Sequence, residues 1–300
     1  MSDERIFVLG NPAAGRGRGA RVLPELVAAL GSSGVGQGVT SQQGDEARLV
    51  NEAVAQGYRR IVAVGGDGTW GNVANAVLRA GADVTLGFVP AGTGSDFGKS
   101  LGIPRDDVAA CARIIRAGHS RSIDVGQVED RYFLNICGFG YDVAVLESSW
   151  KVRWLKGDLL YLYCALWQIY SYQGTPVVVA ADGGPPEEQN LLMLVVANAR
   201  IFGGTFRIAP QAELDDGRLD GVAFGDMGFA SRLGLIGSLV RGTHLSHPRV
   251  TASRASRYEL RFPKPPAYET DGEWRQARTA DLEVRNIPKA LEVLVPAEPL

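Results

Sequence analysis

Short apolar runs alternate with amphipathic stretches and glycine-rich breaks through the first 121 residues. Ile6-Phe7-Val8-Leu9 predicts a strand, and Ala20 to Leu30 predicts a helix after a glycine loop. Val39-Thr40 lies near the end of a weak second strand, followed by a helix from Asp45 to Gln56. Ile61-Val62-Ala63-Val64 predicts a buried strand, Trp70 to Leu78 a helix, and Val84 to Val89 another strand. Asp106 and Asp107 open a helix that runs to Ala117 and stops at Gly118. Strand and helix signals in strict alternation predict a doubly wound parallel sheet, whose ligands bind beyond the carboxyl ends of the strands.

From Ser122 the pattern becomes strand-rich. Strands are predicted at 123–128, 132–137, 176–181, 191–197, 219–224, 258–262, 281–285 and 291–295. Glu129-Asp130-Arg131 is a turn, and the segment from Asp182 to Gln189 is an exposed loop. Two helical stretches interrupt the strands, Val145 to Tyr172 and Phe229 to Arg241. The expected fold is an α/β N-terminal domain over residues 1–121 and a mainly antiparallel β-sandwich over 122–288, with 289–300 returning to complete the first domain.

Composition narrows the function classes. The 300 residues are 45% hydrophobic and 21% charged, ordinary globular values. A formal net charge of −2 argues against a nucleic-acid binder. Cys111, Cys137 and Cys164 lack metal-ligand spacing and fit a reducing compartment. A charged start followed by a strand-length apolar run is no signal peptide, and no apolar stretch is long enough to span a bilayer. The expectation is a cytoplasmic protein.

Three glycine loops follow successive predicted strands. In Gly65-Gly66-Asp67-Gly68-Thr69, closely spaced glycines let backbone N–H groups converge on a polyanion, and the helix that follows aims its positive end there. Asp67 would repel phosphate unless a cation intervened, so the loop implies nucleotide and metal together. Gly10-Asn11-Pro12-Ala13-Ala14-Gly15-Arg16-Gly17 approaches the P-loop pattern but has Arg16 and Gly17 where Lys and Ser/Thr belong. It also fits a dinucleotide fingerprint, yet Thr40 and Ser41 stand where an acidic residue is needed. Pro90-Ala91-Gly92-Thr93-Gly94-Ser95-Asp96-Phe97 adds hydroxyls and a second carboxylate.

Together, Asn11-Pro12-x-x-Gly15, Gly65 to Thr69 and Pro90-x-Gly-Thr-x-x-Asp96-Phe97 resemble the diacylglycerol kinase catalytic-domain family, which includes bacterial soluble lipid kinases and sphingosine kinases. The likeness continues through Asn135-x-x-Gly138-x-Gly140-x-Asp142, Ala209-Pro210-x-Ala212-x-x-Asp215-Asp216-Gly217 and Thr270-Asp271-Gly272-Glu273, so it spans nearly the whole chain. The resemblance implies phosphorylation of a lipid hydroxyl with ATP and Mg2+, in a cleft between the two domains. It implies that Asn11, Pro12, Ala13, Ala14, Gly15, Thr40, Gly65, Gly66, Asp67, Gly68, Thr69, Trp70, Gly71 and Thr93 contact the nucleotide. Asp67 and Asp96, with Asp124 as a further member, would organise catalytic magnesium. A structural magnesium would take the Asp216 side chain and the backbone carbonyls of Glu213 and Arg218; from spacing alone the same residues read as an Asp-Gly turn. Either Glu273 or Asp271 would be the base that accepts the acceptor's proton.

The chain departs from the family at Trp70-Gly71-Asn72, where an aliphatic residue, Asn or His, and Glu usually follow, and at Ser95, usually Asn. Trp150, Trp154, Tyr161, Tyr163, Trp167, Tyr170 and Tyr172 crowd one predicted helix beside Lys151, Arg153 and Lys156. That grouping suits a membrane interface, but a core helix packed on the sandwich is the preferred reading. His244-x-x-His247 lacks a third ligand, so zinc is not expected. The expected partners are a lipid substrate, a transient membrane contact and no nucleic acid, with a homodimer left open. The alternatives are an NAD kinase-like enzyme, which shares the central loop and two-domain plan, and a nucleotide- or lipid-binding regulator without catalysis.

Overall fold

The computed structural model describes residues 5–297 apart from Ser32, Gln43, Arg153 and Lys156, with the backbone alone at 157, 158 and 161. The chain divides into two compact units, Met1–Val125 with Pro288–Leu300, and Gly126–Ile287. The first holds strands β1 (Ile6–Gly10), β2 (Val35–Val39), β3 (Arg60–Gly65) and β4 (Thr85–Pro90). Its helices are α1 (Ala14–Gly17), α2 (Gly19–Leu30), α3 (Asp45–Ala55), α4 (Asp67–Ala80), α5 (Asp96–Ser100) and α6 (Val108–Ala117). Strands β5 (Ser120–Val128) and β15 (Asp281–Leu294) carry the chain out of this unit and back.

The parallel sheet runs β2-β1-β3-β4, with the end of β15 added beside β4 through Glu292 and Val293. Val62 and Val64 of β3 and Val8 and Leu9 of β1 are fully buried, as expected of strands covered on both faces. Asp107 starts α6 by accepting the Ala110 N–H at 2.7 Å, and Gly118, at φ +68°, ends it. Within β15, Pro288 supplies no donor and Lys289 turns left-handed at φ +48°. The strand survives because the buried Asp124 carboxylate accepts the Lys289 N–H at 2.8 Å.

The second unit is a β-sandwich of antiparallel strands: β6 (Arg131–Phe133), β7 (Ile136–Gly140), β8 (Thr175–Ala181), β9 (Glu187–Ala197), β10 (Leu219–Gly225), β11 (Val250–Ala255), β12 (Arg257–Arg261), β13 (Ala267–Thr270) and β14 (Glu273–Gln276). Leu194 and Val196 of β9 point into one core with Phe139 and Leu260, while Met193, Val195 and Ala197 point into another with Phe224 and Leu235. That two-sided burial explains the uninterrupted apolar run from Leu191 to Ala197.

Helices α7 (Tyr141–Lys151), α8 (Gly157–Ser171) and α9 (Phe229–Arg241) complete this unit. The single helix expected over 145–172 is two helices, because the chain leaves helical geometry at Val152, an extended C-cap. The preferred core packing of its aromatic residues is not found. Trp150 is 59% exposed, Trp154 72%, Trp167 54% and Tyr170 72%. Arg153, Lys156 and the Tyr161 side chain lie outside the described residues.

Candidate active site

In the N-terminal unit the three glycine loops meet backbone to backbone. A Cβ on Gly92 would stand 2.6 Å from the Gly66 Cα, and one on Gly15, already left-handed at φ +58°, would stand 1.9 Å from the Ala91 oxygen. Only glycine allows either approach. The Asn11 side chain ties the first loop to the second by donating to Thr69 Oγ1 at 3.0 Å, while its Oδ1 accepts the Ala13 N–H. Arg105 donates to the Thr93 carbonyl, and Arg18 to the Arg105 carbonyl, both at 2.7 Å.

Two carboxylates stand among these loops at the first turns of α4 and α5. Asp67 accepts the Phe97 N–H at 3.1 Å, and Asp96 pairs with Lys99 at 2.8 Å. Burial pushes the Asp67 carboxyl above its usual range, and the neighbouring negative charge of Asp96 raises it further. Ser95 is left-handed at φ +51°, and its buried hydroxyl has no hydrogen-bond partner. A backbone cradle closed to any Cβ, an orphaned hydroxyl and two adjacent acids fit a nucleotide phosphate with its cation.

Three of the expected site residues are buried and make contacts within the protein. The Trp70 indole is fully buried, donating to the Ala63 carbonyl at 3.1 Å, so only its backbone faces the loop. Thr40 is buried at the end of β2, where its N–H donates to the Gly10 carbonyl. The buried Asp124 carboxylate accepts the Lys289 N–H, as described. Asn11 to Gly15 and Thr93 remain at least partly accessible.

In the C-terminal unit the Asp271-Gly272 turn joins β13 to β14, with both residues left-handed. Asp271 Oδ1 accepts the Asn135 and Ile136 N–H groups at 2.8 and 3.1 Å, and Oδ2 accepts that of Leu134 at 2.9 Å. Its carboxylate thus clamps the turn to the start of β7. Glu273, 28% exposed at its side chain, has a weaker tie, a 3.2 Å contact with Arg275. The two acids therefore do different work although the sequence treats them alike.

At the expected structural-metal turn, Asp216 Oδ1 accepts the Arg218 N–H at 3.0 Å and Oδ2 lies 3.5 Å from Arg254. The Arg218 carbonyl accepts from Asn286 at 3.2 Å. Among the described residues no three His, Cys, Asp or Glu side chains converge as a metal site. Arg254, also 3.5 Å from Asp220, already supplies the local positive charge.

A cleft of about 730 Å³ opens in the same unit, walled by Phe139, Val143, Leu191, Leu194 and Phe262, with Glu147 and Lys264 as its charged residues. This volume and an apolar lining with few polar groups suit an organic ligand. Sequence reading missed these residues because they look like core; the available signal was a strand apolar on both faces.

The chain matches the diacylglycerol kinase catalytic domain over residues 5–128 and the YegS C-terminal NAD kinase beta sandwich-like domain over residues 135–295. It belongs to the diacylglycerol kinase catalytic-domain family. Similar curated members include proteins named diacylglycerol kinase from Bacillus subtilis, 28% identical over 98% of this chain and 97% of the relative, and from Mycobacterium tuberculosis, 29% identical over 97% and 95%. Among solved structures, a diacylglycerol kinase from Bacillus anthracis covers both chains fully at 22% identity with a TM-score of 0.78. Yeast NADH kinase complexed with NADH covers 99% of this chain and 85% of its own at 11% identity and a TM-score of 0.54, a likeness of fold alone. No described helix is long and apolar enough to cross a membrane.

Proposed function

We propose that this protein is a kinase that transfers the γ-phosphoryl group of ATP to a hydroxyl of an acyl-chain lipid of the diacylglycerol type. The observation that carries the reading is the convergence of the Gly66 and Gly92 backbones beside Asp67 and Asp96, in a family whose named relatives are diacylglycerol kinases. When bound, ATP supplies the phosphoryl group, and Mg2+ offsets negative charge on it. The loop N–H groups and the N-terminus of α4 then bind and orient the phosphates. Asp67 and Asp96 would hold the cation. The apolar cleft takes the hydrocarbon part of the acceptor. Glu273 accepts the proton of the acceptor hydroxyl as the hydroxyl oxygen bonds to the γ-phosphorus and the bond from that phosphorus to the departing ADP breaks, and Asp271 holds the turn that carries Glu273.

The apolar cleft favours a lipid acceptor over the NAD kinase-like alternative. Transfer from labelled ATP to a lipid extract in detergent micelles, with products read by mass spectrometry, tests the reading. A phosphorylated lipid that disappears with Asp67→Ala is expected, with the residual rate below about a tenth of wild type. Phosphorylation of NAD instead, or nucleotide binding without turnover, would overturn it.

A further inference from the structure

Among the described residues, eleven large apolar ones are more than a third exposed in the C-terminal unit, from Trp150 through α8 to α9. Ring contacts tie several of them together. Trp154 packs on Tyr163 at 5.4 Å, Trp167 on Tyr170 at 6.5 Å, and Tyr170 on Phe229 of α9 at 6.0 Å. Soluble proteins seldom leave such a run of apolar residues uncovered without a partner for it.

Composition and charge say what the partner is. Trp and Tyr rings interleaved with leucines are the residues of a bilayer interface, where an apolar body meets a wet edge. Segment 150–171 carries three basic residues against one acidic, and segment 229–249 carries three arginines and no acid, on a chain whose net charge is −2. Lys151, Arg241 and Arg249 are exposed. Arg232 is spent internally on Asp226 and on the Ile169 and Tyr172 carbonyls, so the exposed Lys151 and Arg241 beside the apolar residues are what complement an anionic lipid surface. The surface also adjoins the cleft. Trp150 packs at 5.3 Å on Trp274, whose indole donates at 3.0 Å to Glu147, a cleft residue, and Tyr172 of the cleft wall follows directly on α8.

We infer that the face formed by Trp150, Trp154, α8 and α9 docks on the surface of an anionic bilayer, and that the lipid acceptor passes from that bilayer into the adjoining cleft. The docking surface stands on its own geometry; the passage of acceptor rests on the lipid-kinase reading. Depth of insertion is that of an interfacial helix, with the aromatic rings at the headgroup level.

The test uses the full chain and vesicles of phosphatidylcholine, alone or with an equimolar amount of phosphatidylglycerol. Sedimentation with the mixed vesicles, weak sedimentation with phosphatidylcholine alone, and a blue shift of tryptophan emission are expected. Leu162→Ser with Leu166→Ser should weaken sedimentation about tenfold or more, since each exchanges an exposed apolar side chain for a small polar one. The double variant should keep its melting temperature and its turnover on acceptor in detergent micelles. Wild-type protein that ignores both vesicles, or a double variant that binds as well as wild type, overturns the inference. So does a lipid-free dimer that the double variant dissolves, because the covering partner is then a second copy. Vesicle binding without micellar turnover refutes the kinase reading and leaves the docking surface standing.

Discussion

Asp271→Asn should act on folding, and Glu273→Gln on chemistry. The Asp271 carboxylate accepts three backbone N–H groups, two at Oδ1 and one at Oδ2. An asparagine keeps its oxygen toward Asn135 and Ile136 and turns its amide toward the Leu134 N–H, donor against donor. One bond is lost, a buried N–H is left unsatisfied, and the remaining two bonds lose their charge assistance. An unsatisfied group costs about 1–3 kcal/mol, and bonds to a charged acceptor are about twice as strong as neutral ones. The total is about 2–4 kcal/mol. Backbone strain adds little, because asparagine tolerates the left-handed φ of +51° about as well as aspartate. Urea unfolding followed by circular dichroism measures this loss directly. Glu273→Gln, at a partly exposed side chain with one arginine contact, should leave stability within about 0.5–1 kcal/mol and lower kcat about 10²–10⁴-fold. Calorimetric ATP affinity should change little in either folded variant. A fully stable Asp271→Asn protein without turnover, beside an active Glu273→Gln protein, would refute the division of labour.

Two further outcomes follow from buried charge. Burial pushes the Asp142 carboxyl up to about 6, and burial, then the Asp142 charge, pushes Glu269 well above its usual value. The folded state thus keeps protons that the unfolded chain releases, so stability should fall as pH rises from about 4 through 6, on the order of 2–3 kcal/mol from Asp142. Asp142→Asn should flatten that slope in pH-dependent unfolding and gain on wild type near pH 8; an unchanged slope would remove the pair from the account. If the Asp216 turn takes magnesium, Arg254 competes for it, and Arg254→Gln should widen the magnesium-induced rise in melting temperature by about 2 °C or more. An equal rise in both proteins would argue for the turn alone.

The alternation of the first half was legible because parallel strands buried on both faces give short β-branched runs, and glycine loops mark their ends. Strands β11, β13 and β14 were not. Val250–Ala255 is mostly polar and exposed, and Ala267–Thr270 follows Pro263, Pro265 and Pro266, which read as a break. The long β15 was read as two strands because its repair at Lys289 comes from Asp124, 165 residues away. Motifs marked the candidate site residues, but not the different surroundings of Asp271 and Glu273. Which acid is clamped by three N–H groups, and which aromatic faces solvent, are decided by tertiary neighbours that local pattern does not contain.

The buried Trp70 ring limits what its neighbours can be. Its ring packs at 5.3 Å on Phe88, which meets Phe97 at 5.5 Å, so one indole fills the space beneath two of the phosphate loops. A Cβ at Gly98 would stand 3.1 Å from that ring, tighter than ordinary contact by a few tenths of an ångström. Positions 70 and 98 are therefore coupled by packing. With tryptophan at 70, a side chain at 98 forces the ring to shift, whereas a smaller aliphatic residue at 70 leaves room for it, so Gly98→Ala should be better tolerated beside Trp70→Leu than beside the native ring.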